Sequence, residues 1–318
     1  MSTHSLAPPA PAVTPCAERT IAISGKSGLV GSAFASSFVG SDHRVLNVTR
    51  DPAARSFDDI IWDPNSGIVN PARLEGTDAF VHLAGENIAT GRWTEAKKSR
   101  IRNSRVDGTR AVASTLARMD RKPSVLVCAS AIGFYGDRGS KILDEYADAG
   151  TGFLADVCRD WEAATQPAED AGIRVVHLRI GVIISRNGGA LPQMLTPFKL
   201  GVGGRIGSGQ QFWSWVSIDD VVGAIHHAID DDTLRGAINC VAPQPVTNSE
   251  FTRMLGSVLR RPTVFPVPGF AARLALGEMA NDLLLASTRV LPRRLETSGY
   301  VFSQPDLRRA LESEIHAR

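Results

Sequence analysis

The chain has 318 residues, 43% hydrophobic and 21% charged, the balance of a soluble globular protein with one large or two smaller domains. Its 35 basic and 33 acidic side chains are scattered and leave a formal charge of +2, which offers no footprint for nucleic acid or an acidic membrane surface and makes small-molecule chemistry the expectation. No apolar run approaches the roughly 18 residues of a membrane span, the first residues lack a secretory pattern, and Cys16, Cys128, Cys158 and Cys240 are too dispersed for a zinc site or a disulfide framework, so they read as reduced thiols of a cytoplasmic protein.

Residues 1 to 18 hold Pro8, Pro9, Pro11 and Pro15 among small and polar residues, a composition that predicts a disordered tail. Ile21 to Ser24 then reads as a strand running into Gly25-Lys26-Ser27-Gly28-Leu29-Val30-Gly31, a G-x-x-G-x-x-G spacing. The first glycine lets the chain turn off the strand, the second lets backbone approach a pyrophosphate, and the third lets the next helix pack closely. Leu29, Val30, Ala33, Phe34 and Phe38 follow at helical spacing, so the first-turn amides of that helix should face an anion. All seven residues of the loop are assigned to a dinucleotide. The second strand, His43 to Arg50, stops before Asp51-Pro52. An acidic side chain at this point accepts from the adenosine ribose, whereas an arginine accommodates a 2′-phosphate. Thr49 and Arg50, with Lys26 in the loop, favour NADP(H); Asp51 keeps NAD(H) as the alternative.

A short third strand is expected over Asp59 to Pro64, and a fourth, nearly continuous in apolar residues, over Asp78 to Gly85. Leu83, Ala84 and Gly85 at its end should border the cofactor, because open parallel sheets bind ligands along their carboxyl edge. His82 reads as a half-buried strand residue. The helical segment from Trp93 to Met119 carries Lys97, Lys98, Arg100, Arg102 and Arg105. Most of these form a solvated face, one or two are placed to reach the cofactor, and Arg105 is assigned to that set. Ser124 to Ala131 is a fifth strand, whose Ser130 hydroxyl can meet the cofactor or a substrate oxygen beside it. Tyr135 and Glu86, each just past a strand's end, are candidate proton donors or acceptors.

Gly152 to Ala164 predicts a helix with one apolar stripe, and Ile173 to Arg179 a sixth strand. A glycine-rich stretch from Gly188 to Gly209 leads to Trp213 and Trp215, either a mobile substrate cover or two core anchors. Ser217 caps a helix, with His226 and His227 flanking its core face rather than binding metal, and Ala237 to Val241 is the last strand. Asn248 opens a further helix, and an apolar helix is expected around Leu274 to Leu285. The repeated alternation predicts an α/β protein with a Rossmann-type doubly wound parallel sheet, residues 19–182 plus 213–242, and a small C-terminal substrate lobe, residues 183–212 plus 243–318.

The glycine spacing, His82-Leu83-Ala84-Gly85, Val106-Asp107-Gly108-Thr109 and the strand ending at Ser130 together resemble the extended short-chain dehydrogenase/reductase family of NAD(P)-dependent epimerases and reductases. Gly85-Glu86-Asn87-Ile88, Ser130 to Gly136, Phe153 to Glu162 and Trp213-Ser214-Trp215-Val216 are similar to an atypical subgroup labelled epimerase-like, SulA-like or cell-division-inhibitor-like. The resemblance implies the fold and a nucleotide site. The family's acid/base apparatus, a Tyr with a Lys four residues later plus a Ser and an Asn, is mostly replaced: Leu154 stands at the Tyr position, Cys158 at the Lys position and Arg105 at the Asn position, while Ser130 matches. Leucine has no proton to exchange and a neutral thiol carries no charge. Two functions therefore stay open: an NADP(H)-dependent oxidoreductase or epimerase-like enzyme acting on a small carbonyl or alcohol, or a regulatory protein that senses NADP(H) without turnover.

Overall fold

The computed structural model describes residues 18–316 except Pro52, Ala54, Arg55 and Asn65, so the expected tail, but for Glu18, lies outside the described residues. Its central sheet has eight strands: β1 (Thr20–Ser24), β2 (Arg44–Thr49), β3 (Asp59–Asp63), β4 (Gly67–Ile68), β5 (Ala79–His82), β6 (Val125–Ala131), β7 (Arg174–Ile180) and β8 (Gly236–Cys240). They lie in the order β8-β7-β6-β5-β1-β2-β3-β4, and all neighbours are parallel except β3 and β4. From β1 the chain builds outward through β2 and β3, then returns to β5 and builds the other half. The direction of winding thus reverses between β1 and β5, which leaves a crevice beyond the strands' carboxyl ends at that point. The two-residue β4 is absent from the expected strands because so short a segment leaves no periodic signal.

Both faces of the sheet are buried, which is why its strands read as nearly continuous apolar runs. Ile21, Ile23, Val81, Val127 and Leu178 face Phe34 of α1 (Leu29–Ser36) and Val221 and Ile225 of the helix Ile218–Asp230. Ala22, Phe80, Leu126 and Val175 face Val112 and Leu116 of α2 (Glu95–Ala117). Beside α2 lies α3 (Phe153–Ala163), tied to it by Trp161 Nε1 donating to Thr109 Oγ1 at 2.8 Å. Ser217 caps the helix that it opens, its oxygen accepting the Asp220 amide at 3.0 Å. The buried Asp220 carboxylate in turn accepts from Tyr300 and from the Ser303 and Gln304 amides, which fastens the C-terminal turn to this helix.

A separate apolar core joins Ile184, Leu191, Phe198, Trp213, Trp215, Phe251, Leu255 and Leu311. The two tryptophans are core anchors: both are buried, and their indole N–H groups donate to the Leu284 and Gln244 carbonyls. The apolar helix expected through Leu285 instead ends at Leu276, where Gly277 takes a φ of 66° that side-chain-bearing residues rarely adopt. A short α turn and a wider π turn, Asn281–Leu285, follow it.

Candidate functional site

At the carboxyl end of β1 the chain turns at Gly25 with φ of 80°. A Cβ there would lie 2.8 Å from the Ala84 nitrogen, and one on Gly31 would lie 2.2 Å from the Gly25 carbonyl oxygen. The loop backbone therefore rests on the end of β5, and the first turn of α1 rests on the loop; only hydrogen fits at either point. Gly28 caps α1 without a side chain, so the helix's first amides are left for an anion, with Ser27 and Gly28 exposed and Leu29 and Val30 half-buried around them. Gly188 and Gly189 close over this turn, their Cβ positions 3.4 Å from the Leu29 side chain.

Because Ser24 pairs with Val48, Thr49 and Arg50 stand one step beyond the end of β1, alongside the glycine turn. The exposed Arg50 guanidinium has no partner among the described residues. Asp51 is engaged in its own turn, its carboxylate accepting the Ala53 amide at 2.8 Å. The Lys26 charge reaches Asp59 on β3, whose carboxyl is held low mainly by Asn47. Two cations thus overlook the β2–β3 half of the crevice.

On the other side of β1, Leu83 continues from β5 and donates its amide to the Ser24 carbonyl at 3.0 Å. Glu86 follows, with its carboxylate 2.7 Å from Lys97 Nζ and 3.7 Å from Arg100 Nε. The Lys97 hydrogen bond, chiefly, holds Glu86 below the usual carboxylate range, so it is an ionised group with no proton to donate. Arg105 lies beneath this loop. Its Nη1 donates to the Glu86 carbonyl at 3.0 Å and the Ile101 carbonyl at 3.2 Å, and its guanidinium stands 5.1 Å from the Trp161 ring centre.

The two hydroxyls expected at the end of β6 are turned inward. Ser130 donates to Glu162 Oε1 at 2.7 Å, and Glu162 takes two further hydrogen bonds at 2.8 Å from Arg179. Arg179 also donates to the Tyr135 hydroxyl at 2.9 Å, which itself donates to Asn239 Oδ1 at 2.7 Å. Tyr135 is fully buried, and burial pushes its pKa up. Strand alternation puts Ser130 on the α3 face of the sheet with Cys128, opposite Ala131, and the Glu162–Arg179 pair there draws both hydroxyls inward.

Leu154 and Cys158 of α3 stand where a Cβ on Gly133 would be, at 3.3 Å from Leu154 Cβ and 3.9 Å from Cys158 Sγ. Burial pushes the Cys158 thiol up to about 12, so it is neutral. Around Leu154 gather Trp93, Phe153, Met279 and Leu283, an apolar patch shared with the C-terminal lobe. One residue here was outside the sequence reading: Asp282, whose carboxylate accepts the Leu154 amide and whose pKa is raised, first by burial and then by Glu278. No local motif announces it, because its neighbour is distant in the chain.

The model of the NAD-dependent epimerase/dehydratase family matches residues 21–240. The chain belongs to that family. A domain model of unknown function matches residues 267–314, the segment that carries Asp282. An epimerase family protein of Mycobacterium bovis is 42% identical over 93% of this chain and 97% of its own length. The human epimerase family protein SDR39U1 (isoform 2), in a crystal structure with NADPH, superposes with a TM-score of 0.86 at 32% identity, covering 94% of this chain and all of that one. A nucleoside-diphosphate sugar epimerase from Corynebacterium glutamicum gives 0.78 at 37% identity, over 94% of this chain and 58% of that chain. These matches support the epimerase family and an extended short-chain dehydrogenase-like fold; they do not bear on the SulA-like label. Among the described residues no helix is long and apolar enough to cross a membrane, and no cluster of three or more potential ligands is arranged for a metal ion.

Within this family member, His82 is fully rather than half buried, because α2 and Trp62 cover that end of β5. Its Nδ1 hydrogen-bonds Ser24 Oγ at 2.6 Å, and its Nε2 has no partner among the described residues. Burial lowers its pKa to about 4 from 6.5. The unfolded chain therefore binds this proton first as pH falls, and stability is lost from about pH 6.5 down to about pH 4, by roughly 3 kcal/mol in all. Urea unfolding at pH 7 and pH 4.5 should show that slope in the wild type and a shallower one in His82→Asn. Equal slopes would remove His82 as the cause.

Proposed function

We propose that the chain is an atypical NADP(H)-dependent oxidoreductase or epimerase-like enzyme acting on a small carbonyl or alcohol, including sugar-derived ones. The observation that carries this reading is Arg50, one step past β2 and without a partner among the described residues, beside a turn whose Gly25 and Gly31 leave no room for a side chain, with Asp51 engaged elsewhere. An arginine at this place suits a 2′-phosphate, and a carboxylate held in its own turn does not offer itself to the ribose of NAD(H). The human relative's structure with NADPH supports the same cofactor. Gly25 to Gly31 would hold the pyrophosphate, Arg50 and Thr49 the 2′-phosphate, and Leu83 to Gly85 would border the nicotinamide half. Bound there, NADP(H) supplies or takes up the hydride.

The substrate would enter between the carboxyl edge of the sheet and the lobe of residues 183–212 and 243–318, in a cytoplasmic protein whose described cysteines are buried free thiols. With Ser130 and Tyr135 committed inward and Glu86 ionised against Lys97, Asp282 is the side chain at Leu154 whose surroundings favour holding a proton. Arg50→Ala should weaken NADPH binding roughly 10- to 100-fold, the worth of one or two charge-assisted hydrogen bonds, and leave NADH binding unchanged in fluorescence titrations. An unchanged ratio would remove the NADP(H) assignment. A second reading, a sensor without turnover, is favoured by Leu154 and Cys158 at the Tyr and Lys positions. Tight NADPH binding with no oxidation of NADPH by any of a panel of carbonyls and nucleotide sugars would select it.

A further inference from the structure

We propose that Arg105 grips the nicotinamide-side ribose of the dinucleotide, so that a cation on α2 serves the half of the cofactor site that α3 leaves uncharged. The inference rests on the NADP(H) reading above and adds to it the residue that holds the second nucleoside.

Arg105 is held as a fixture. Two backbone carbonyls, those of Glu86 and Ile101, fix its Nη1, and the guanidinium packs over Trp161. Its Nε and Nη2 have no partner among the described residues, and the side chain makes no ion pair within 4 Å there. The carboxylate whose charge it feels, Glu86, is bonded to Lys97 instead. A largely buried cation with idle donors and no counter-charge is costly in a folded protein, and a ligand that accepts those hydrogen bonds removes the cost.

Location identifies the ligand group. The glycine turn that suits the pyrophosphate lies at the end of β1, and the 2′-phosphate cations lie over β2 and β3 on one side of it. Arg105 lies on the other side, at the ends of β5 and β6: a Cβ on Gly85 would be 3.5 Å from its guanidinium carbon, and it is close enough to Cys158 for each to influence the other's ionisation. A dinucleotide laid across β1 places its second nucleoside there. The thiol of Cys158 is neutral, and Lys97, Arg100 and Arg179 nearby are paired with Glu86 or Glu162, so Arg105 is the cation here without a carboxylate partner among the described residues, and a ribose diol accepts from a guanidinium without displacing its two carbonyl contacts.

The test titrates the whole protein with NADPH and with 2′,5′-ADP, which keeps the adenosine half and the 2′-phosphate but lacks the nicotinamide nucleoside. Arg105→Met should weaken NADPH roughly 10- to 100-fold while leaving 2′,5′-ADP within about twofold, and Arg105→Lys should recover part of the loss. Arg50→Ala should weaken both ligands. If Arg105→Met is poorly folded, the wild type decides: NADPH, but not 2′,5′-ADP, should protect Arg105 from phenylglyoxal, as read by peptide mass spectrometry. Equal losses for the two ligands, no loss for NADPH, or equal protection would overturn the assignment of Arg105 alone. A wild type that binds neither ligand would instead overturn the NADP(H) reading on which it rests.

Discussion

Gly31→Val should lower NADPH affinity at least 100-fold, the largest binding effect expected of any single substitution in the site. A Cβ at position 31 would stand 2.2 Å from the Gly25 carbonyl oxygen and 2.8 Å from its carbon. Neither is the yielding tip of a side chain, so the loop or the helix must move. The loop cannot move toward β5 either, because Gly25 already lies against the Ala84 and Leu83 backbone. Displacing α1 turns its first amides away from the anion they would bind, and overpacking of this kind destabilises by about 1–3 kcal/mol. Gly28→Ala is the internal comparison: its Cβ would meet the same oxygen at 3.3 Å, a contact relieved by a few tenths of an ångström, so its effect should be several-fold smaller. NADPH fluorescence titrations with parallel melting curves measure both. Wild-type affinity in Gly31→Val would show that the cradle is not the nucleotide site.

Arg179→Met should destabilise the fold by about 3–5 kcal/mol, the usual result of stranding one partner of a buried ion pair. The Arg179 and Glu162 side chains are only 5% and 12% exposed, and the pair is bidentate. Removing Arg179 leaves the Glu162 carboxylate with Ser130 as its remaining side-chain hydrogen-bond donor and deprives the Tyr135 hydroxyl of a donor. The double variant Glu162→Leu/Arg179→Met should recover most of the loss, since an apolar pair of similar volume is often neutral. Ser130→Ala should cost only about 1 kcal/mol, because Glu162 keeps both arginine bonds. Urea unfolding of the wild type, Arg179→Met, Glu162→Leu and the double variant closes the cycle, with Ser130→Ala measured beside them. A loss below 1 kcal/mol in Arg179→Met would mean that water or a rearranged side chain satisfies Glu162, and the network would not be what joins β6, α3, β7 and the Tyr135 turn.

The fold was readable because its signals are local. Each expected strand of the central sheet appears within a residue or two at either end, except that the fourth, expected through Gly85, stops at His82. That early stop has a physical cause: Leu83 and Ala84 are the residues against which Gly25 lies, so the backbone beyond His82 is committed to close approach rather than to the ladder. The glycine triplet was legible for the same reason, since close approach forbids side chains and so marks the sequence itself. The broken helix at Gly277 was less so. An apolar pattern continues across it, and only the backbone angle there reveals the break.

By itself, then, the sequence determined the doubly wound sheet, the glycine turn at the end of β1, the cations beside it, and the absence of a Tyr and a Lys where the family resemblance expects them. Period and spacing encode these features because each depends on neighbours within a few residues. Tertiary structure alone decided where the polar side chains aim. Ser130 and Tyr135 turn inward because Glu162 and Arg179, brought together from α3 and β7, offer a charged partner that a hydroxyl at the strand edge would lack. Asp282 reaches Leu154, and Arg105 comes to stand beneath Gly85 with no ion-pair partner among the described residues, through packing between segments far apart in the chain. A side chain's partner fixes its protonation and its direction, and that partner is set by the folded chain rather than by local spacing.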